Sequence, residues 1–293
     1  MKSEEINWRC DGRDICVGLD RAGTGPTILL LPALSSISTR SEMRPLQERL
    51  ARSFTAITVD WPGFGDRPKP FVDWRPEIYE AFLDHLLGQV VPGSFGTIAA
   101  GHAAGYAIRH FASAGRAAGR LVLLSPTWRG PLPTMMGGHR MLFPRMARAF
   151  DPPVVGAMLY GLNVNRFVIG MMARGHVYAN PEWLRGPRMK EKLAVTHVPG
   201  ARHGSARFVT GCLDPFRSRE EQARAVQHIV VPMLNVFSEQ APRKSRAEME
   251  ALATSPNVRT VRLPRGKLSV YEEFPDAAAG VIGEFLAATV ARG

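Results

Sequence analysis

The chain has 293 residues, with 37 Lys and Arg against 26 Asp and Glu, a formal net charge of +11 at pH 7. A hydrophobic content of 45% and a charged content of 22% match an ordinary globular protein and exclude a disordered chain. No apolar run approaches the roughly 18 residues of a membrane span. Three cysteines (Cys10, Cys16, Cys212) are too few for a disulfide framework, and the polar, acidic opening Met1–Glu5 is unlike a secretory signal. The expected location is cytoplasmic, with peripheral membrane association as an option.

Taken in chain order, strand-like runs alternate with helical spacings, the pattern of βαβ units on a largely parallel sheet. Asn7–Leu19, with Asp11-Gly12 at its centre, predicts an opening β-hairpin. Thr27–Leu34 is continuously apolar, as for a strand buried on both faces. Ser41–Arg52 follows as a helix with Ser41 as its cap, then strand Phe54–Trp61 and the Gly/Pro-rich loop Pro62–Pro70. Helical spacing covers Trp74–Val91, a strand Gly96–His102, a helix Ala103–Ala114 and a strand Arg120–Ser125. Much later the alternation resumes with strand Met233–Ser238, helix Arg246–Ala253, strand Val258–Leu263 and helix Asp276–Ala291.

Between these halves, Arg129–His203 differs in kind. It holds 8 of the 12 methionines, and its 11 basic against 3 acidic residues leave a net +8, most of the charge of the chain. Short helices broken by Pro131, Pro144, Pro152 and Pro187 are expected there. The predicted organisation is a core of residues 1–128 and 204–293 with a helical cap at 129–203.

Three segments carry a resemblance to a known family. They are Leu29-Leu30-Leu31-Pro32-Ala33-Leu34, the loop Asp60-Trp61-Pro62-Gly63-Phe64-Gly65-Asp66, and Ile98-Ala99-Ala100-Gly101-His102-Ala103-Ala104-Gly105. The last places glycines as in a G-x-S-x-G nucleophile elbow between a strand and a helix. On these residues the chain resembles the α/β-hydrolase superfamily from hairpin to last helix. The resemblance implies an α/β-hydrolase fold, with a mostly parallel central sheet flanked by helices and a helical cap insertion.

Within that resemblance, the Ser-His-Asp positions are filled by other residues. Ala103 stands at the elbow, and a methyl group cannot attack a carbonyl. Anchoring on Glu272-Glu273-Phe274-Pro275 puts Leu268 where the histidine belongs, and Ala241 falls near the acid slot, with Glu239 slightly early. The oxyanion hole of the family is backbone, here the N–H groups of Ala104 and Leu34. Ser35 and Ser36 follow that turn, His102 adjoins the elbow, Trp128 follows a strand end, and Tyr271 flanks the histidine slot. All five are candidate ligand contacts, with Tyr271 a candidate hydroxyl donor. Asp60 more often braces its loop, and His139, His176, His197 and His203 are candidates for a titrating group over the pocket. No ligand spacing suggests a metal, and no cofactor is expected.

The leading functional expectation is a protein of this superfamily without the triad. It would be a non-hydrolytic enzyme of lyase, decarboxylase or cyclase type, or a binder of a hydrophobic anionic small molecule. Methionines would line an apolar tail and arginines hold the charge. Two alternatives stand beside it: a serine ester, amide or thioester hydrolase whose nucleophile was replaced by Ala103, and a pseudoenzyme engaging a protein partner or membrane surface. Nucleic acid is not an expected partner, because no aromatic-interleaved basic motif occurs.

Overall fold

A computed structural model describes residues 1–113 and 119–288. Strands β1 (Lys2–Cys10) and β2 (Arg13–Ala22) form the expected hairpin, longer than Asn7–Leu19. Its two-residue turn has Asp11 at φ 49° and Gly12 at φ 73°, the left-handed pair that matches strand twist. β3 (Thr27–Leu31), β4 (Thr55–Val59), β5 (Gly96–Ala100), β6 (Leu121–Leu124), β7 (Met233–Ser238) and β8 (Val258–Leu263) complete one eight-stranded sheet. The spatial order is β1-β2-β4-β3-β5-β6-β7-β8; the two β1/β2 and β2/β4 pairings are antiparallel and the others parallel. The apolar runs sit where a sheet covered on both faces requires them, with Ile28, Leu29 and Leu30 all fully buried.

Helices α1 (Arg44–Leu50), α2 (Pro76–His85) and α3 (Ala103–Ala112) alternate with the first strands. The first helical segment begins with a 3-10 turn at Arg40–Met43, and Thr39 rather than Ser41 caps it, its hydroxyl accepting the Ser41 N–H at 3.0 Å. Ala114, the expected end of α3, lies outside the described residues. Between β6 and β7 come α4 (Pro131–Met136), α5 (Phe143–Arg148), α6 (Pro153–Asn163), α7 (Arg166–Met172), α8 (Pro187–Thr196), α9 (Ala201–Val209) and α10 (Arg219–Gln227). α9 is one unbroken helix across the 203/204 boundary, because Gly200 at φ 82°, not a residue near 203, breaks the chain before it. α11 (Arg243–Ala253) starts three residues earlier than expected, directly after Pro242. The short α12 (Val270–Glu273) and then α13 (Pro275–Ala287) close the fold; residues 289–291 of the expected last helix lie outside the described residues.

Two apolar layers sandwich the sheet. One holds Leu29, Trp61, Phe82 and Tyr106 under α2 and α3, and the other Ile28, Leu46, Ile98 and Ile282 under α1 and α13. Parallel strands put the C-terminal ends of β3, β5, β6 and β8 along one edge, where open α/β sheets receive ligands.

Candidate functional site

At that edge lies a cavity of about 120 Å³, bounded by the loops after β3, β5, β6 and β8 and roofed by Tyr178, Lys192 and Phe208. Its floor comes from the turn between β5 and α3. The residue in the left-handed conformation of that turn is Gly101, at φ 52°, whereas Ala103 is already the first residue of α3. The left-handed apex therefore stands two residues before the position expected for it. Ala103 and Ala104 are fully buried in the layer with Trp61 and Tyr106 and do not bound the cavity, which corrects both assignments. A strand that ends at Ala100 leaves only Gly101 and His102 for the turn, so the helix absorbs Ala103. The glycine pair has packing reasons of its own. A Cβ on Gly105 would lie 2.5 Å from Pro215 Cγ, and one on Gly101 would lie 3.1 Å from Ala33 Cβ.

The cavity wall is more polar than the sequence suggests. Glu42, from the turn before α1, is 3% exposed; its Oε1 accepts the Ala33 N–H at 2.7 Å and the Tyr271 hydroxyl at 2.8 Å. Lys192 on α8 donates to Glu42 Oε2 at 3.4 Å and to Glu272 Oε2 at 3.5 Å, and the Tyr178 hydroxyl donates to the same Glu272 oxygen at 2.7 Å. Burial pulls Lys192 down, but Glu272, Tyr178 and Glu42 outweigh it and hold the ammonium well above its ordinary range. Burial pushes Glu272 up, against the pull of Lys192. Tyr271 is likewise held far above 10, first by burial and then by Glu42. Two carboxylates around one ammonium give this cluster no surplus of positive charge.

Two side chains bounding the cavity each keep one buried atom without a partner among the described residues. Ser125, at the end of β6, is fully buried, has φ 44° and carries an unpaired Oγ. A non-glycine residue in that region is strained, and such strain collects at functional sites. Gly101 N–H donates to Leu124 O at 2.9 Å, which sets Ser125 beside the apex. His102 has Nε2 at 2.9 Å from Leu213 O and an unpaired Nδ1. A carbonyl only accepts, so the ring proton is assigned to Nε2 and Nδ1 is left as a bare lone pair. Burial lowers the His102 pKa, keeping the ring neutral.

The remaining expected residues scatter. Leu34, Ser35, His102, Leu268 and Tyr271 do bound the cavity. Ser35 Oγ pairs with Ser38 Oγ at 2.7 Å, while Ser36 Oγ takes the Ser205 hydroxyl at 2.5 Å and ties its loop to α9. Trp128 lines a separate surface pocket and donates to Glu248 at 3.3 Å. Ala104 N–H is already bonded to Gly101 O at 3.2 Å. Leu268 and Ala241 share one apolar cluster with Phe237 and Met249, and Glu239 is exposed. Asp60 braces its loop through Arg40, at 2.6 Å to the amide and 2.5 Å to the guanidinium. None of the four expected histidines bounds the cavity; His139 is held by Asp214 at 2.7 Å and His203 by Asp151 at 2.9 Å. Six cap methionines (Met135, Met136, Met141, Met146, Met158, Met171) are 36% to 98% exposed, so no methionine lining forms over the cavity.

The family model described as the alpha/beta hydrolase family matches residues 28–281. The chain belongs to the α/β-hydrolase family. No curated protein matches it. Among solved structures this α/β-hydrolase chain is similar to Cfl2 of Burkholderia cenocepacia, with 22% identity, 97% of this chain and 96% of the other covered, and a TM-score of 0.72. A thermophilic esterase from Thermogutta terrifontis, with malate bound, shows 18% identity, 98% coverage of both chains and a TM-score of 0.71. The enol-lactonase from Burkholderia xenovorans shows 15% identity, 96% and 99% coverage and a TM-score of 0.68. At these identities the likeness is one of fold alone.

Proposed function

We propose that this α/β-hydrolase-family protein works without the Ser-His-Asp triad, binding a small polar molecule in the cavity and acting on it by proton transfer rather than through an acyl-enzyme. The observation that carries this is Gly101 at the apex of the elbow, where a nucleophilic side chain would have to stand. Leu268 and Ala241, packed together at the other two positions, support the same reading. So does Glu42: its carboxylate holds the Ala33 N–H, beside the amide that would face a developing oxyanion, and a second negative charge there would meet it at close range. The cavity is small, at about 120 Å³, and its cluster has no surplus cation. Both features favour a small, uncharged ligand over the amphiphilic anion expected from composition. His102 Nδ1 would take a proton from one ligand atom and return it to another, leaving the ligand neutral before and after, and the Ser125 hydroxyl would donate to a ligand oxygen.

An activated-ester assay tests the triad-free reading. The parent and Ala103→Ser are expected to show no turnover above buffer, because residue 103 is inside α3 and away from the cavity. Turnover restored by Ala103→Ser alone would overturn the proposal and return the protein to the serine hydrolases. A thermal-shift screen of small hydroxy and oxo compounds addresses the ligand, with a hit expected to lose at least about tenfold in affinity in Ser125→Ala.

A further inference from the structure

No single helix among the described residues is long and apolar enough to cross a membrane, yet one helix has almost no core to belong to. α6 reads PVVGAMLYGLN, carries no charged side chain, and buries only Gly156. Val154, Val155, Met158 and Leu162 are 80%, 53%, 62% and 65% exposed. Asn165 caps α7, whose axis turns 49° from that of α6, and Phe167 and Met171 extend the apolar surface at 73% and 49% exposure. Apolar patches of this kind on a soluble fold mark a surface that is covered in use.

Charge identifies the cover. From Pro152 to Pro181 there is no acidic residue, while Arg166 adjoins Phe167 and Arg174 follows α7. Arg145 and Arg148 precede α6 on α5, and none of these four arginines has an acidic partner among the described residues. A second copy docking here would bring like charges together, whereas an anionic lipid surface supplies apolar and electrostatic complements at once.

We propose that the α6–α7 elbow docks the protein peripherally on bilayers bearing anionic headgroups. The helices would lie in the interface, with Met158, Leu162 and Phe167 inserted and the arginines at headgroup level. Co-sedimentation with phosphatidylcholine vesicles, with and without phosphatidylglycerol, tests it at low and physiological salt. Binding is expected only with phosphatidylglycerol, weakening as salt rises. It is expected to fall at least about tenfold in Phe167→Asp and several-fold in Arg166→Glu. Both positions are exposed, and unchanged circular dichroism will verify the fold of each variant. Equal binding to neutral vesicles, no binding to either, or full binding by Phe167→Asp would overturn the proposal. So would concentration-dependent dimerisation that Phe167→Asp abolishes without any vesicle binding in the parent, which would assign the face to a second copy.

Discussion

Single side chains at the cavity carry energies that their neighbours decide. Lys192 separates two buried carboxylates, so removing its charge leaves Glu42 and Glu272 facing each other without compensation. Lys192→Met is expected to lower stability by about 3–5 kcal/mol in urea unfolding at neutral pH. Because burial already raises Glu272, the loss should shrink as pH falls and that carboxyl takes up a proton. His102 predicts a slope in the parent protein. Its folded pKa lies below the ordinary 6.5, so as pH falls through 6.5 the unfolded chain binds a proton that the folded ring refuses. Stability is therefore retained above 6.5 and lost below it, and the loss should be smaller in His102→Gln, as followed by Tm against pH. Neither Lys192 nor Glu42 announces itself in the sequence. Lys192 is one of eleven basic residues in its segment, and Glu42 is one more acid on a helix flank.

Elements were more legible than the turns joining them. β7 and β8 run over the expected residues, and the hairpin turn follows from Asp11-Gly12, since few pairs accept two positive φ values. The apex of the turn from β5 to α3 lies two residues before the place its spacing indicates, because Gly101-His102-Ala103-Ala104-Gly105 satisfies the elbow spacing while the strand ends at Ala100. Gly105 fits that spacing yet serves the packing of α3 against Pro215. Gly105→Ala is expected to cost about 1–3 kcal/mol by urea unfolding, as overpacking does. The salt bridge of Arg49 with Asp276, mostly solvent-exposed at its acid, should matter far less; Asp276→Asn is expected to leave the urea midpoint almost unchanged.

For the molecule as a whole, the segment between β6 and β7 packs Leu213, Phe216 and Val226 into the core beside α3, and its middle is fastened to α12 by polar contacts. Glu273 accepts the amides of Ala179 and Asn180 at 2.8 and 2.6 Å, and Ser269 N–H donates to Val177 O at 3.1 Å. Glu273→Ala is expected to speed hydrogen exchange at Ala179 and Asn180 while β5 and β6 amides keep their protection. Faster exchange throughout the sheet, or no change at the turn, would contradict that division. The basic excess of this segment was visible from composition, but where it points was not: one lysine enters the cavity, while the apolar face of α6 and its neighbouring arginines meet solvent.

The sequence by itself determined the class of fold and the order of strands and helices. Those follow from local periodicity and from spacing, which are properties of nearby residues. Tertiary structure decided that Gly101 is the apex, that Glu42, Lys192 and Glu272 meet, and that Ser125 and His102 keep unpaired atoms beside one cavity. Glu42 and Lys192 are 150 positions apart and Tyr271 is 229 from Glu42. Contacts over such separations exist only once the sheet has aligned the ends of its strands, so no window of sequence contains them.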